Sequence, residues 1–144
     1  MSAPAAGYSG TPLVRKLGYR DGQRAHFVGV PEALRPALGA PAFVDSQWLA
    51  IDGPWPCRAP VDVAHVFVDR QAALADALPR IDAALEPDGM IWVSWPKKAS
   101  KVPTDVTEDV IRELALPLDL VDVKVCAVDQ TWSGLKLVIR KEKR

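Results

Sequence analysis

Apolar and polar positions follow two different rhythms along this chain, and the rhythm changes at turn residues. Val61 to Val68 is almost unbroken in β-branched and aromatic residues, the mark of a strand buried on both faces. Met90 to Trp95 reads the same way. Between them Leu74, Leu78, Ile81 and Leu85 recur with helical spacing. That spacing predicts a helix capped by Asp69, kinked or split at Pro79 and stopped by Pro87-Asp88-Gly89. A further helix is predicted to open at Pro103-Thr104-Asp105. There Asp105 and Glu108 are spaced as cap and third position, and Val106, Val110, Ile111 and Leu114 form the buried face. Leu120 to Val128 and Leu135 to Ile139 alternate apolar with polar. They predict an antiparallel pair joined by a loop that contains Gly134.

The front half is sparser. Met1 to Tyr8 is rich in Ala, Gly, Pro and Ser and predicts a loose tail over residues 1–9, with one α/β domain over 10–144. Thr11 as cap, Pro12 at the first position and Gly18 as stop predict a short helix through Leu17. Asp21-Gly22 turns the chain into a strand over Ala25 to Val30, followed by a helical piece from Glu32 to Leu38 and a strand over Trp48 to Ile51. Gly53-Pro54-Trp55-Pro56 forbids regular structure, so no long helix fits before Val61. Strand, helix, strand, helix, strand and a closing hairpin imply a mostly parallel, Rossmann-like α/β sheet with a C-terminal antiparallel hairpin and an abbreviated N-terminal half.

Composition removes several function classes. Acidic and basic residues balance at 18 each, so no global field draws the chain to nucleic acid or an anionic membrane. No apolar run approaches the roughly 18 residues of a membrane span, and no leader pattern opens the chain; a cytoplasmic setting is expected. Cys57 and Cys126 stand far apart and read as reduced thiols. With two histidines besides, no metal site is expected. His65 falls inside an apolar strand and reads as a core histidine with a satisfied hydrogen bond. Trp48 and Trp55 flank the irregular segment and read as cover for the core.

Two segments resemble landmarks of S-adenosylmethionine-dependent methyltransferases. Asp21-Gly22-Gln23-Arg24-Ala25-His26-Phe27-Val28-Gly29 is similar to the turn and strand that lead into that fold's glycine-rich loop. Leu85-Glu86-Pro87-Asp88-Gly89-Met90-Ile91-Trp92-Val93 is similar to its Pro-Gly-Gly approach to a later strand. A second resemblance is to a bacterial uncharacterised family, domain of unknown function 3052. Gly7-Tyr8-Ser9-Gly10-Thr11-Pro12-Leu13, Val93 to Asp105, Val121 to Asp129 and Thr131 to Lys136 carry it. That family brings no known reaction. The departure from methyltransferases lies after the first strand, where Gly29 is followed by Val30-Pro31-Glu32. A cofactor of this class needs flexible, amide-rich backbone there, and proline offers no N–H. No cofactor and no catalytic residue are therefore expected, and Asp52, near the usual ribose-binding position, reads as a turn residue.

The most pointed local chemistry is Trp95-Pro96-Lys97-Lys98-Ala99-Ser100-Lys101, three lysines with no acid between Asp88 and Asp105. It bridges a strand end to a helix start, where open α/β sheets bind ligands. Trp95, Lys97, Lys98, Ser100, Lys101, Thr104 and Trp132 are the candidate ligand or partner contacts, with Trp132-Ser133-Gly134 expected in the hairpin loop and Trp95 and Trp132 on one side of the sheet. The bland alternatives are a solvated basic loop and tryptophans packed on the sheet's end. The leading expectation is a non-enzymatic binding or regulatory domain that contacts an anionic ligand or protein partner. Two rivals stand beside it: a methyltransferase-like enzyme with an atypical cofactor site, and a weak nucleic-acid-binding protein. Periodicity is silent on the oligomeric state.

Overall fold

The computed structural model describes residues 12–55 and 60–144. The expected tail, the Thr11 cap and Cys57 lie outside the described residues. Six strands form one sheet in the order β2-β1-β3-β4-β6-β5: β1 (Arg24–Val28), β2 (Asp45–Leu49), β3 (Val61–Phe67), β4 (Leu85–Pro96), β5 (Leu120–Ala127) and β6 (Trp132–Ile139). β1 pairs in parallel with β2 and β3, and β3 with β4; β6 runs antiparallel to both β4 and β5. This is the expected mostly parallel sheet closed by an antiparallel hairpin.

The two faces are covered by different helices, as a sheet buried on both sides requires. On one face α3 (Gln71–Ala84) and α4 (Glu108–Ala115) seal a core in which Leu74, Leu78 and Ile111 meet Ala64, Val66 and Ile91 of the sheet. On the other, α1 (Leu13–Lys16) and α2 (Arg35–Leu38) bring Leu17 and Leu38 onto Phe27, Val63, Phe67 and Trp92. Both helices on this second face are single turns, and the link from β2 to β3 carries no helix among the described residues. The abbreviated front half is real. No described helix is long and apolar enough to cross a membrane.

Four expectations need correction. Pro79 does not split α3, which runs unbroken with Leu78 and Ile81 buried on either side of it. Packing of that apolar stripe outweighs the one hydrogen bond a proline removes. Pro87-Asp88-Gly89 does not stop the helix; β4 begins at Leu85 and absorbs the tripeptide as an irregularity, since Val61 pairs with Leu85 and Val63 with Met90. α4 starts at Glu108, with Thr107 as its cap through Val110 N–H, so Val106 is buried ahead of the helix. Gly134 lies within β6 against Trp92, and the hairpin loop is Val128 to Thr131. Strand ends move as well: β2 begins at Asp45, ahead of the expected Trp48.

Candidate functional site

The strand order reverses between β1 and β3, so the crevice where such sheets hold ligands lies above Val28 and Phe67. Gly29 leaves β1 with φ +67°, and a side chain there would place its Cβ 2.8 Å from the Phe67 carbonyl oxygen. Only glycine fits that approach. Pro31 follows at φ −58°, then Glu32 opens a single 3-10 turn and Pro36 sits in the first turn of α2. Pro31 thus offers no amide to an anion at this turn, and the residue directly after it bears a carboxylate. Beyond β2, Asp52 is exposed in a turn closed by Gly53 N–H to the Ala50 carbonyl (3.2 Å). The same carbonyl accepts Trp55 Nε1–H at 2.8 Å, and the Trp55 ring packs on the α3-side core beneath the Arg80 guanidinium.

The loop after β4 is held by hydrogen bonds within itself and to the neighbouring loops. Lys97 N–H donates to the Thr131 carbonyl (2.7 Å), and Lys97 Nζ donates to the Asp129 carbonyl (2.8 Å). Ser100 Oγ donates to the Lys97 carbonyl at 2.7 Å and accepts Val102 N–H; Thr104 Oγ1 donates to the Asp69 carbonyl at 2.7 Å and accepts Val106 N–H. Both hydroxyls are spent on backbone groups. Lys98 and Lys101 remain exposed, with Lys101 held in the left-handed region at φ 62°. The α4 amino terminus is no anion seat, because Glu108 and Asp109 already occupy its first turn and both engage Arg112.

Trp95 and Trp132 are not brought together. Trp95 is buried in the α3-side core, while Trp132 pairs with Pro96 and sits edge-on to Phe67 at 5.1 Å on the opposite face. Neighbouring strands in register put Trp95 opposite Ser133, so alternation sends the two indoles apart.

Three further features complete the picture, the first two not foreseen from the sequence. Asp105 reaches across to accept Gln71 N–H at 2.6 Å, so it caps α3 in place of Asp69. The Asp129 carboxylate gathers Thr131 and Trp132 N–H at 2.8 and 2.7 Å, an Asx turn whose signal was the Asp-Gln-Thr sequence itself. Third, His65 sits fully buried between Tyr19 Oη at its Nδ1 and Ser94 Oγ at its Nε2 (2.7 Å). Burial lowers the His65 pKa to about 3 and pushes the Tyr19 phenol well above its usual range. A neutral imidazole donates at one nitrogen and accepts at the other, which satisfies both partners. The expected core histidine is therefore observed, tied to two side chains that lie far away in sequence.

No family model matches the chain, and no curated protein matches it. Solved structures do. A TehB-like SAM-dependent methyltransferase from Corynebacterium glutamicum is similar at TM-score 0.64 and 12% identity, over 94% of this chain and 91% of that one. A SAM-dependent methyltransferase from Aquifex aeolicus is similar at TM-score 0.63 and 13% identity, over 89% and 88%. The ribosomal protein L11 methylase from Lactobacillus delbrueckii subsp. bulgaricus is similar at TM-score 0.62 and 13% identity, over 90% and 75%. At such identities the likeness establishes the fold: this chain has the Rossmann-like architecture of SAM-dependent methyltransferases.

Proposed function

We propose that this chain is a binding or regulatory domain on a methyltransferase-like frame, contacting an anionic ligand or partner protein through the exposed face of the loop after β4. The observation that carries the reading is Gly29-Val30-Pro31-Glu32, where proline and an acid replace the amide-rich turn that holds the cofactor in this fold. In the loop, Lys98 and Lys101 are the contact residues, while Lys97, Ser100 and Thr104 keep the loop in shape. Trp95 anchors it from the core. Trp132, on the other face, shapes the strand end through Phe67. The resemblance to an uncharacterised bacterial family speaks for a bacterial source and adds no activity.

The fold likeness speaks for a second reading, an enzyme with an atypical cofactor site. Calorimetry with S-adenosylmethionine and S-adenosylhomocysteine separates the two. The binding-domain reading expects no saturable heat, and micromolar affinity for either compound would replace it with the enzyme. For the loop, Lys98→Ala with Lys101→Ala should abolish capture of an anionic partner. A steep salt dependence with single-stranded nucleic acid would instead favour the weak nucleic-acid reading.

A further inference from the structure

The opposite end of the sheet carries a charge arrangement that neither reading uses. Lys124 on β5 and Lys136 on β6 are direct cross-strand partners in an antiparallel pair. Like charges placed opposite one another destabilise a sheet. Arg20, from the link between α1 and β1, adds a third cation. Burial lowers the Lys136 pKa, and the charges of Lys124 and Arg20 lower it further. Lys124 is pinned by donating Nζ–H to the Lys16 carbonyl at 3.2 Å, and Lys16 donates to the Ala127 carbonyl at 3.3 Å. Among the described residues neither Lys136 nor Arg20 has a carboxylate in salt-bridge range.

Both cations line a cavity of about 420 Å³ with Gly18, Gln23, Met90 and Val138. Three carboxylates also reach it, but two are committed. Asp62 accepts Arg24 N–H, Nε–H and Nη2–H, and Asp21 accepts Ala42 N–H at 2.8 Å. Asp88 alone has no partner among the described residues. The cavity thus offers one half-buried ammonium without a carboxylate partner, flanked by the exposed Arg20 guanidinium and the exposed Asp88 carboxylate. Such a lining matches a ligand with an anionic group at one end and hydroxyls at the other.

We propose that this cavity binds a phosphate monoester bearing hydroxyl groups, with Arg20 and Lys136 on the phosphate and Asp88 accepting from a hydroxyl. The site lies at the amino ends of the parallel strands, away from the loop after β4, and stands independently of the function proposed above. Bringing an anion to Lys136 relieves its repulsion with Lys124.

Ribose 5-phosphate is the probe, titrated into the full chain by calorimetry beside inorganic phosphate. The expected result is saturable binding at about millimolar affinity or tighter, weakened at least about tenfold by Lys136→Gln and by Arg20→Gln and unchanged by Arg70→Gln, at an exposed cation outside both sites. Asp88→Asn should weaken ribose 5-phosphate and leave inorganic phosphate alone. Without ligand, Lys136→Gln should raise the Tm by removing the like-charge pair. Absent saturable binding, or equal loss on Arg70→Gln, the site assignment is overturned. A lower Tm for Lys136→Gln would overturn it too, by showing that the ammonium serves the fold.

Discussion

Acid should unfold this protein partly through one residue, and His65→Gln isolates it. The folded imidazole, buried between Tyr19 and Ser94, takes its proton only near pH 3, against an ordinary value of 6.5. The unfolded chain therefore binds that proton first as pH falls. Stability from this residue is whole above 6.5 and is lost progressively between 6.5 and 3. At about 1.4 kcal/mol per pKa unit, lowering the pH from about 7 to about 5 costs about 2 kcal/mol. With a urea m-value of about 2 kcal/mol/M, the wild-type midpoint should fall by about 1 M more than that of the variant. Tryptophan fluorescence in urea at both pH values reads this directly. The acids titrate in both proteins and drop out of the comparison. Any loss of stability that His65→Gln shows equally at every pH leaves the slope unchanged. Equal slopes for the two proteins would refute the claim that His65 stays neutral in its buried network.

Other consequences follow from the same geometry. Gly29→Ala combines a positive φ with a Cβ 2.8 Å from the Phe67 carbonyl, and should cost about 2–4 kcal/mol in urea unfolding. Asp105→Ala removes the cap on Gln71 N–H; it should cost about 1 kcal/mol and speed amide exchange in the first turn of α3, whereas Asp69→Ala should not. Leu78→Ala, at a fully buried position on α3, should lower stability by about 2–5 kcal/mol in the same urea assay.

Much of the fold was legible because it rests on local periodicity. Val61 to Val68 and Met90 to Trp95 read as strands covered on both faces, and Leu74, Leu78 and Ile81 as the inward face of a helix. Boundaries were less legible where turn residues misled. Pro87-Asp88-Gly89 looks like a stop, yet pairing with β3 holds it inside β4. Gly134 looks like a loop residue, yet it lies in β6, where a Cβ would crowd the Trp92 ring at 3.1 Å. The missing amide proton at Pro31 was also readable, since proline lacks an N–H in any fold.

The sequence alone determined the strand and helix alternation, the two-sided burial of β3 and β4, and the absence of an amide proton at Pro31, because each depends on residues close together in the chain. Tertiary structure alone decided that Trp95 and Trp132 face apart, that Asp105 caps a helix 34 residues away, that His65 meets Tyr19 and Ser94, and that Arg20 joins Lys124 and Lys136. Those pairings depend on strand register and on which loops the sheet order brings together. Register is set by packing across the whole sheet, and no short window of sequence contains it.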